Sequence, residues 1–242
     1  MLSQLLATLV GLVAGGALRP LVVALAVPAG QPVSVTCPAC SPRPVPAWGL
    51  HTLRLLPPGG RCPNCRARLC TPWLPELTTA AAFAAVAAGG AVGWYAAAQY
   101  WIALLGAGCL LVDSAVQRLP NLLTLAAAVG TLALLSAAAA HHEAGSLLRA
   151  AVVAAVAGGL FTVFAVLGTT GLGDAKLAIS LGAVLGWHSW QAAVLALGLT
   201  YLLGGTVAVV LLLARRHQRK STLAFGPFLI IGTLGAAVIT SS

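Results

Sequence analysis

Charge is scarce in this chain: 7% of its 242 residues are Asp, Glu, Lys or Arg, and only four are acidic. With 60% hydrophobic residues and a mean hydropathy of +0.97, that scarcity excludes a soluble globular domain, which uses about a quarter charged residues. Alternation of apolar and polar residues is also missing, and this excludes the strands of a membrane β-barrel. What is present is long apolar runs, covering 2–27, 77–97, 100–114, 120–139, 147–168, 175–188, 190–213 and 223–240. A bilayer core takes about 20 helical residues to cross. The expected fold is therefore an all-α polytopic membrane protein of about eight transmembrane helices. The third and sixth runs are short, which predicts tilt or half-buried ends there.

The net charge of +9 would point to nucleic acid in a soluble protein, but here its distribution points to a bilayer, and no nucleic-acid partner is expected. Arg19, Arg43, Arg54, Arg61, Arg66 and Arg68 lie at the end of the first run or between the first two. Arg118, Lys176, Arg215, Arg216, Arg219 and Lys220 lie in alternate later loops. With the N-terminus outside, all of these fall in the cytoplasm and only Arg149 outside, as the positive-inside rule requires. The basic loop 215–220, with His217, then meets anionic lipid heads. A cleaved signal peptide is the competing reading of residues 1–27, since Ala24-Leu25-Ala26 offers a small-x-small site. No Lys or Arg precedes that run and Arg19 interrupts it, which argues for a first transmembrane helix.

Residues 28–76 are the one segment long and polar enough for a subdomain, and they hold eleven of the fourteen prolines. Cys37 and Cys40 form one CxxC, Cys62 and Cys65 another, with 21 residues between them. Four thiolates on two such knuckles supply the tetrahedral shell of a structural Zn²⁺, which leaves no position for water. A cytoplasmic loop is kept reduced, so disulfides are not expected; bare thiols or a redox pair are the alternatives. The metal would replace a core that so short a loop cannot build. Cys70 and Cys109 stand outside the pattern and read as packing residues. The expected division is thus 1–27, a first transmembrane helix; 28–76, a cytoplasmic zinc-binding loop; and 77–242, a seven-helix membrane domain.

Two of the four acids, Asp113 and Asp174, abut apolar runs, where a carboxylate is costly to keep charged and points to function. The topology brings both to the cytoplasmic face. Asp113 falls where a helix ends, against the negative pole of its dipole; its structural alternative is an ion pair with Arg118. Asp174 lies in Gly171-Leu172-Gly173-Asp174, and its structural alternative is an N-cap. The glycines permit positive φ and close backbone approach, which an extended substrate needs. Lys176 can also simply snorkel to the interface. Two carboxyls at one site hydrolyse a peptide without metal or nucleophilic side chain when one is ionised and activates water and the other is protonated and polarises the carbonyl. Helix poles assign Asp113 the proton and Asp174 the base.

Together these residues resemble the type IV prepilin peptidases, membrane aspartyl proteases that process pilins and pseudopilins. The landmarks are the two CxxC knuckles, Gly60-Arg61-Cys62, Glu76-Leu77, Asp113 to Pro120, Gly171 to Leu177, and Ala224-Phe225-Gly226-Pro227-Phe228. The resemblance implies that Asp113 and Asp174 are the catalytic pair, and that the reaction removes a short basic leader at the cytoplasmic face. It also implies a second activity, methylation of the new N-terminus with S-adenosylmethionine, attributed to the cysteine region where Gly60 matches a glycine associated with it. Gly15-Gly16-Ala17-Leu18-Arg19-Pro20 departs from the family's Gly-Ser-Phe-Leu-Asn pattern, and the loop is shorter on its N-terminal side.

Apart from the aspartates, only Glu76 offers a negative partner to a basic leader on that face; its structural alternative is a favourable place near a helix N-terminus. Recognition is expected to rest mainly on the substrate's apolar segment and the small residues beside the cut. The Gly11/Gly15 and Gly182/Gly186 pairs predict close helix contacts, and Trp101, Trp187 and Trp190 read as outer interfacial anchors. His141, His142, His188 and Glu143 fall in outer loops with no special role expected. For Phe225 to Phe228 the residues alone offer only a proline break near the last helix. The rival readings are a proton-coupled transporter relaying protons through the aspartates, and a pilin-binding protein that does not cut.

Overall fold

The computed structural model describes residues 2–27, 37, 59–62, 65–168, 170–213 and 225–241. Among them are eight helices and no strand beyond an isolated bridge between Arg61 and Arg68. The helices are α1 (Leu2–Leu25), α2 (Leu74–Ala88), α3 (Gly93–Val116), α4 (Asn121–Ala140), α5 (Leu147–Val166), α6 (Leu172–His188), α7 (Trp190–Leu213) and α8 (Gly226–Ser241). Five of them, α1, α3, α4, α5 and α7, are long and apolar enough to cross a bilayer. The chain is a multi-pass helical membrane protein.

One boundary differs from the sequence expectation. The second run was expected to continue to 97 and the third to start at 100, but α2 stops at Ala88 and α3 starts at Gly93. Gly90 and Gly93 both take positive φ, a conformation only glycine enters cheaply. This turn is as apolar as the helices beside it, so hydropathy runs through it. The third helix is consequently 24 residues long, and the short ones are α2 (15), α8 (16) and α6 (17).

Adjacent helices pair most extensively as α5 with α6, α1 with α2, and α7 with α8, around a central α3 that touches α1, α2, α4, α6 and α8. The glycine pairs set the first two pairings. A Cβ on Gly11 would lie 2.7 Å from Ala80 Cα, and one on Gly15 2.5 Å from Glu76 Cα. A Cβ on Gly182 would lie 3.2 Å from Ala154 Cα, and one on Gly186 3.0 Å from Ala150 Cα. Without a water-driven force between helices in lipid, such backbone-to-backbone contact is what dispersion and packing require.

Up-and-down connectivity gives the bundle two ends. One gathers the ends of α1, α3 and α5 with the starts of α2, α4, α6 and α8. The other gathers the α2–α3, α4–α5 and α6–α7 turns. Asp113 and Asp174 belong to the first end; Glu143 and Arg149 belong to the second.

Candidate active site

Asp113 sits in the last turn of α3 and Asp174 in the first turn of α6, and both are buried, 5% and 6% exposed. Between them lies Gly226, the first residue of α8. A Cβ placed there would come 2.8 Å from Asp113 Oδ2 and 3.6 Å from Asp174 Oδ1. Those two carboxylate oxygens are therefore no farther apart than the sum of these distances. The structure thus brings together two acids remote in sequence. Among the described residues no ion pair joins Asp113 to Arg118, and Asp113 Oδ2 is buried without a hydrogen-bond partner.

Asp174 is the third residue of its helix, whereas the cap is Gly171. Its Oδ2 accepts a hydrogen bond from the Gly171 N–H at 3.0 Å, and its own N–H donates to Gly171 O at 3.0 Å. This corrects the N-cap expectation while keeping the physics: the carboxylate satisfies an otherwise orphaned N–H at a positive helix pole. Gly171 and Gly173 do not use the positive φ they permit; Gly171 has φ −90°. Gly173 acts by proximity, since a Cβ there would lie 2.7 Å from Leu119 Cβ. Its bareness lets α6 close on the α3–α4 connection and so on the end of α3. Lys176 Nζ donates to Asn121 Oδ1 at 2.8 Å, tying the starts of α6 and α4 on the exposed side.

Sequence reasoning missed Gly226 as part of this site, although it singled out the surrounding Phe225 to Phe228. Phe225 anchors the start of α8 through ring contacts with Tyr201 at 5.4 Å, Phe161 at 6.1 Å and Phe228 at 6.2 Å. The signal was a Gly-Pro step beside aromatics; its meaning is a distance to residues 113 and 174, which no local pattern carries.

Glu76 is engaged elsewhere. It is buried in an ion pair with Arg19, itself fully buried in α1. Gly15 makes room for it: a Cβ there would sit 2.5 Å from both Pro75 O and Glu76 Cα. The pair fixes the end of α1 to the start of α2, immediately beside the cysteine loop.

In that loop the sulfurs of Cys37, Cys62 and Cys65 lie within 4.8 Å of one another, with Cys37 Sγ and Cys65 Sγ 3.6 Å apart. A tetrahedral Zn²⁺ with bonds of about 2.3 Å has sulfur–sulfur edges of about 3.8 Å, so the donors fit that ion. Cys40, the expected fourth ligand, lies outside the described residues. The Cys62 knuckle closes through Cys62 N–H to Ala67 O at 2.9 Å and Arg66 N–H to Cys62 O at 3.0 Å. Gly60 has φ +63°, and a Cβ there would meet Cys70 O at 2.3 Å; the knuckle itself demands glycine. Burial pushes the Cys70 thiol up from its ordinary range, with a smaller lowering by Arg19 and raising by Glu76, in keeping with a packing role. Cys109 is buried in the core.

At the opposite end, residues expected to be idle do structural work. Glu143 accepts from the N–H groups of Trp94 at 2.7 Å and Tyr95 at 2.9 Å, capping the start of α3. Arg149 donates to Gly186 O at 2.6 Å, His188 O at 2.7 Å and Trp187 O, closing the end of α6. Trp187 is fully buried, so it is a core residue and no interfacial anchor, while Trp190 is exposed. Trp101 is half-buried and donates to Ala126 O at 3.0 Å.

Two buried carboxyls converging on one glycine at the end of a polytopic helical bundle, with no nucleophilic side chain required, have the arrangement of a membrane aspartyl protease. Residues 100–212 match the model of the type IV leader peptidase family. Over 200 residues the chain is 32% identical to the prepilin leader peptidase/N-methyltransferase of Aeromonas hydrophila, covering 81% of this chain and 68% of that one. Over 204 residues it is 31% identical to the protein of the same name from Pseudomonas aeruginosa, covering 81% and 68%. The Aeromonas salmonicida relative is 31% identical over 200 residues, covering 81% and 67%. No solved structure shows a significant match. The chain belongs to the type IV leader peptidase family.

Proposed function

We propose that this protein is a membrane-embedded aspartyl endopeptidase that removes the leader of type IV prepilins or pseudopilins, with Asp113 and Asp174 as its catalytic pair. The convergence of the two buried carboxylates on Gly226 supports this reading most strongly. Asp174 is the base: the Gly171 N–H and the start of α6 both favour its negative charge. Asp113, at the end of α3, carries the shared proton. Asp174 takes a proton from water as its oxygen bonds to the scissile carbonyl carbon, and Asp113 gives its proton to the carbonyl oxygen. The tetrahedral adduct then collapses as the C–N bond breaks. The leaving nitrogen takes the proton held by Asp174, the hydroxyl proton returns to Asp113, and the leader departs as a carboxylic acid.

The protein lies in the bacterial inner membrane with its N-terminus outside and the aspartates at the cytoplasmic face, as the distribution of Lys and Arg supports. Cys37, Cys62 and Cys65, with Cys40 as the fourth ligand, would hold a structural Zn²⁺, which would supply a closed shell and no chemistry. Gly171, Gly173 and Lys176 line the approach to the pair. The prepilin or pseudopilin is recognised mainly through its apolar segment, and membrane lipids are the other partners. The relatives' names carry a second activity, N-methylation. S-adenosylmethionine would be its methyl donor, and loop 28–76 its place.

Co-expression with a candidate prepilin tests the reading. Asp113→Asn and Asp174→Asn insert normally and leave the leader attached; cleavage by either variant removes the dyad mechanism. If neither variant cuts and wild type also leaves prepilin whole while moving protons across sealed vesicles, the proton-relay reading replaces it. Mass spectrometry of the product's N-terminus reads out methylation in the same run. Maleimide labelling of cysteines introduced at residues 118 and 142 in inverted vesicles reports the orientation.

A further inference from the structure

We infer that Gly226 is a positioning residue for the aspartate pair, setting the gap between the two carboxylates from a helix that carries neither of them. This rests on the dyad reading of Asp113 and Asp174. Three observations carry it.

The first is steric. The position of a Cβ on Gly226 lies 2.8 Å from Asp113 Oδ2, 3.4 Å from Asp113 Cγ and 3.6 Å from Asp174 Oδ1. A methyl there must displace the Asp113 carboxylate, while it would rest in ordinary contact with Asp174. Neither is free to yield: Asp113 is buried on the central helix, and Asp174 is tied to the Gly171 N–H. The oxygen that the methyl would strike, Asp113 Oδ2, is buried and is the one with no hydrogen-bond partner.

The second is electrostatic. Gly226 opens α8, so the positive pole of that helix faces the pair, and its N–H stands beside the Asp113 carboxylate. Pro227 has no N–H, which leaves Gly226 as the forward donor at this point.

The third is mechanical. The start of α8 is pinned by Phe225 to Phe161 on α5 and Tyr201 on α7, helices that carry no catalytic group. A Cβ on Gly204 would sit 3.3 Å from the Phe225 ring, so α7 also approaches closely there. The gap between carboxylates on α3 and α6 is thus set by an aromatic clamp on three other helices, which makes the Phe225-Gly226-Pro227-Phe228 segment part of the site.

Gly226 does not have positive φ, so alanine fits its backbone and Gly226→Ala reads the methyl alone. For the purified variant in lipid nanodiscs with a prepilin substrate, kcat falls by about 100-fold, as for an ångström of misplacement at a catalytic group, while KM stays within about twofold. The bell-shaped pH–rate profile narrows, because carboxyls pushed apart couple less strongly and their two apparent values converge. Phe225→Leu, which loosens the clamp and leaves Gly226 in place, lowers kcat by about tenfold with the same narrowing. A wild-type kcat and pH profile in Gly226→Ala overturns the inference, as does a rise in KM alone. Should Gly226→Ala fail to fold, Phe225→Leu decides: wild-type kcat and profile overturn it equally. Active Asp113→Asn or Asp174→Asn protein would defeat the dyad itself. Inactive aspartate variants beside a wild-type Gly226→Ala would defeat only the role given to Gly226.

Discussion

At the end of the bundle formed by the α2–α3, α4–α5 and α6–α7 turns, each charged side chain meets a helix pole of the opposite sign. Glu143 sits on the N–H groups that start α3, and Arg149 on the carbonyls that finish α6. At the other end α3 finishes against Asp113, a carboxylate on the negative pole, with one buried oxygen unpartnered. The same helix thus meets a favourable acid at its start and an unfavourable one at its finish. Charge that serves stability is neutralised where it lies; an acid kept in an adverse place, where it holds its proton, points to chemistry. Asp174 stands between the two cases, since it caps its own helix and faces Gly226 as well.

The sharpest way to break this comparison is Asp113→Asn. Prepilin cleavage falls by at least about 10³-fold, while unfolding in detergent shows stability within about 1 kcal/mol of wild type, because Asn matches in size and charge the protonated form that Asp113 takes beside Asp174. A destabilised Asn variant would turn Asp113 into a structural residue and dissolve the contrast. Next in size is Arg19→Ala, which leaves Glu76 buried and unpaired. The cost is about 3–5 kcal/mol, read as a loss of folded protein on size-exclusion chromatography. Arg19→Leu combined with Glu76→Leu recovers most of it, since the pair's own desolvation cost disappears too. Failure of the double variant to recover would give the ion pair a further task beside the cysteine loop.

What could be read in advance follows from where each signal resides. The helices were legible because a bilayer writes its thickness into runs of apolar residues, and the aspartates because their cost in that setting makes them conspicuous. The three described cysteines were legible because a metal shell needs fixed local spacing. The α2–α3 break was not, since Gly89 to Gly93 is as hydrophobic as its flanks and turns by backbone freedom alone. Glu143 looked idle because its partners, Trp94 and Tyr95, belong to a different helix. Trp187 looked like a belt residue because position along a helix does not reveal which face is packed. Gly226 was hidden for the same reason, as its role consists of distances to side chains on two other helices.

The far end supplies the smaller tests. Glu143→Ala removes the acceptor for two N–H groups at the start of α3 and costs about 1–2 kcal/mol, with prepilin cleavage within about twofold of wild type. Arg149→Lys has the smallest expected effect and separates geometry from charge most finely. Lysine keeps the cation at the end of α6, so the favourable interaction with that pole persists. It cannot reproduce the planar fork by which Arg149 reaches Gly186, Trp187 and His188 together. The expected loss is about 0.5–1.5 kcal/mol, the worth of about one hydrogen bond, seen as a small drop in the thermal midpoint with cleavage unchanged. Arg149→Gln, which also removes the charge, loses more. Equal losses for Lys and Gln would mean that the fork alone holds this end. A fall in cleavage with either would mean that the two ends are coupled through α6, the helix that has Arg149 at its finish and Asp174 at its start.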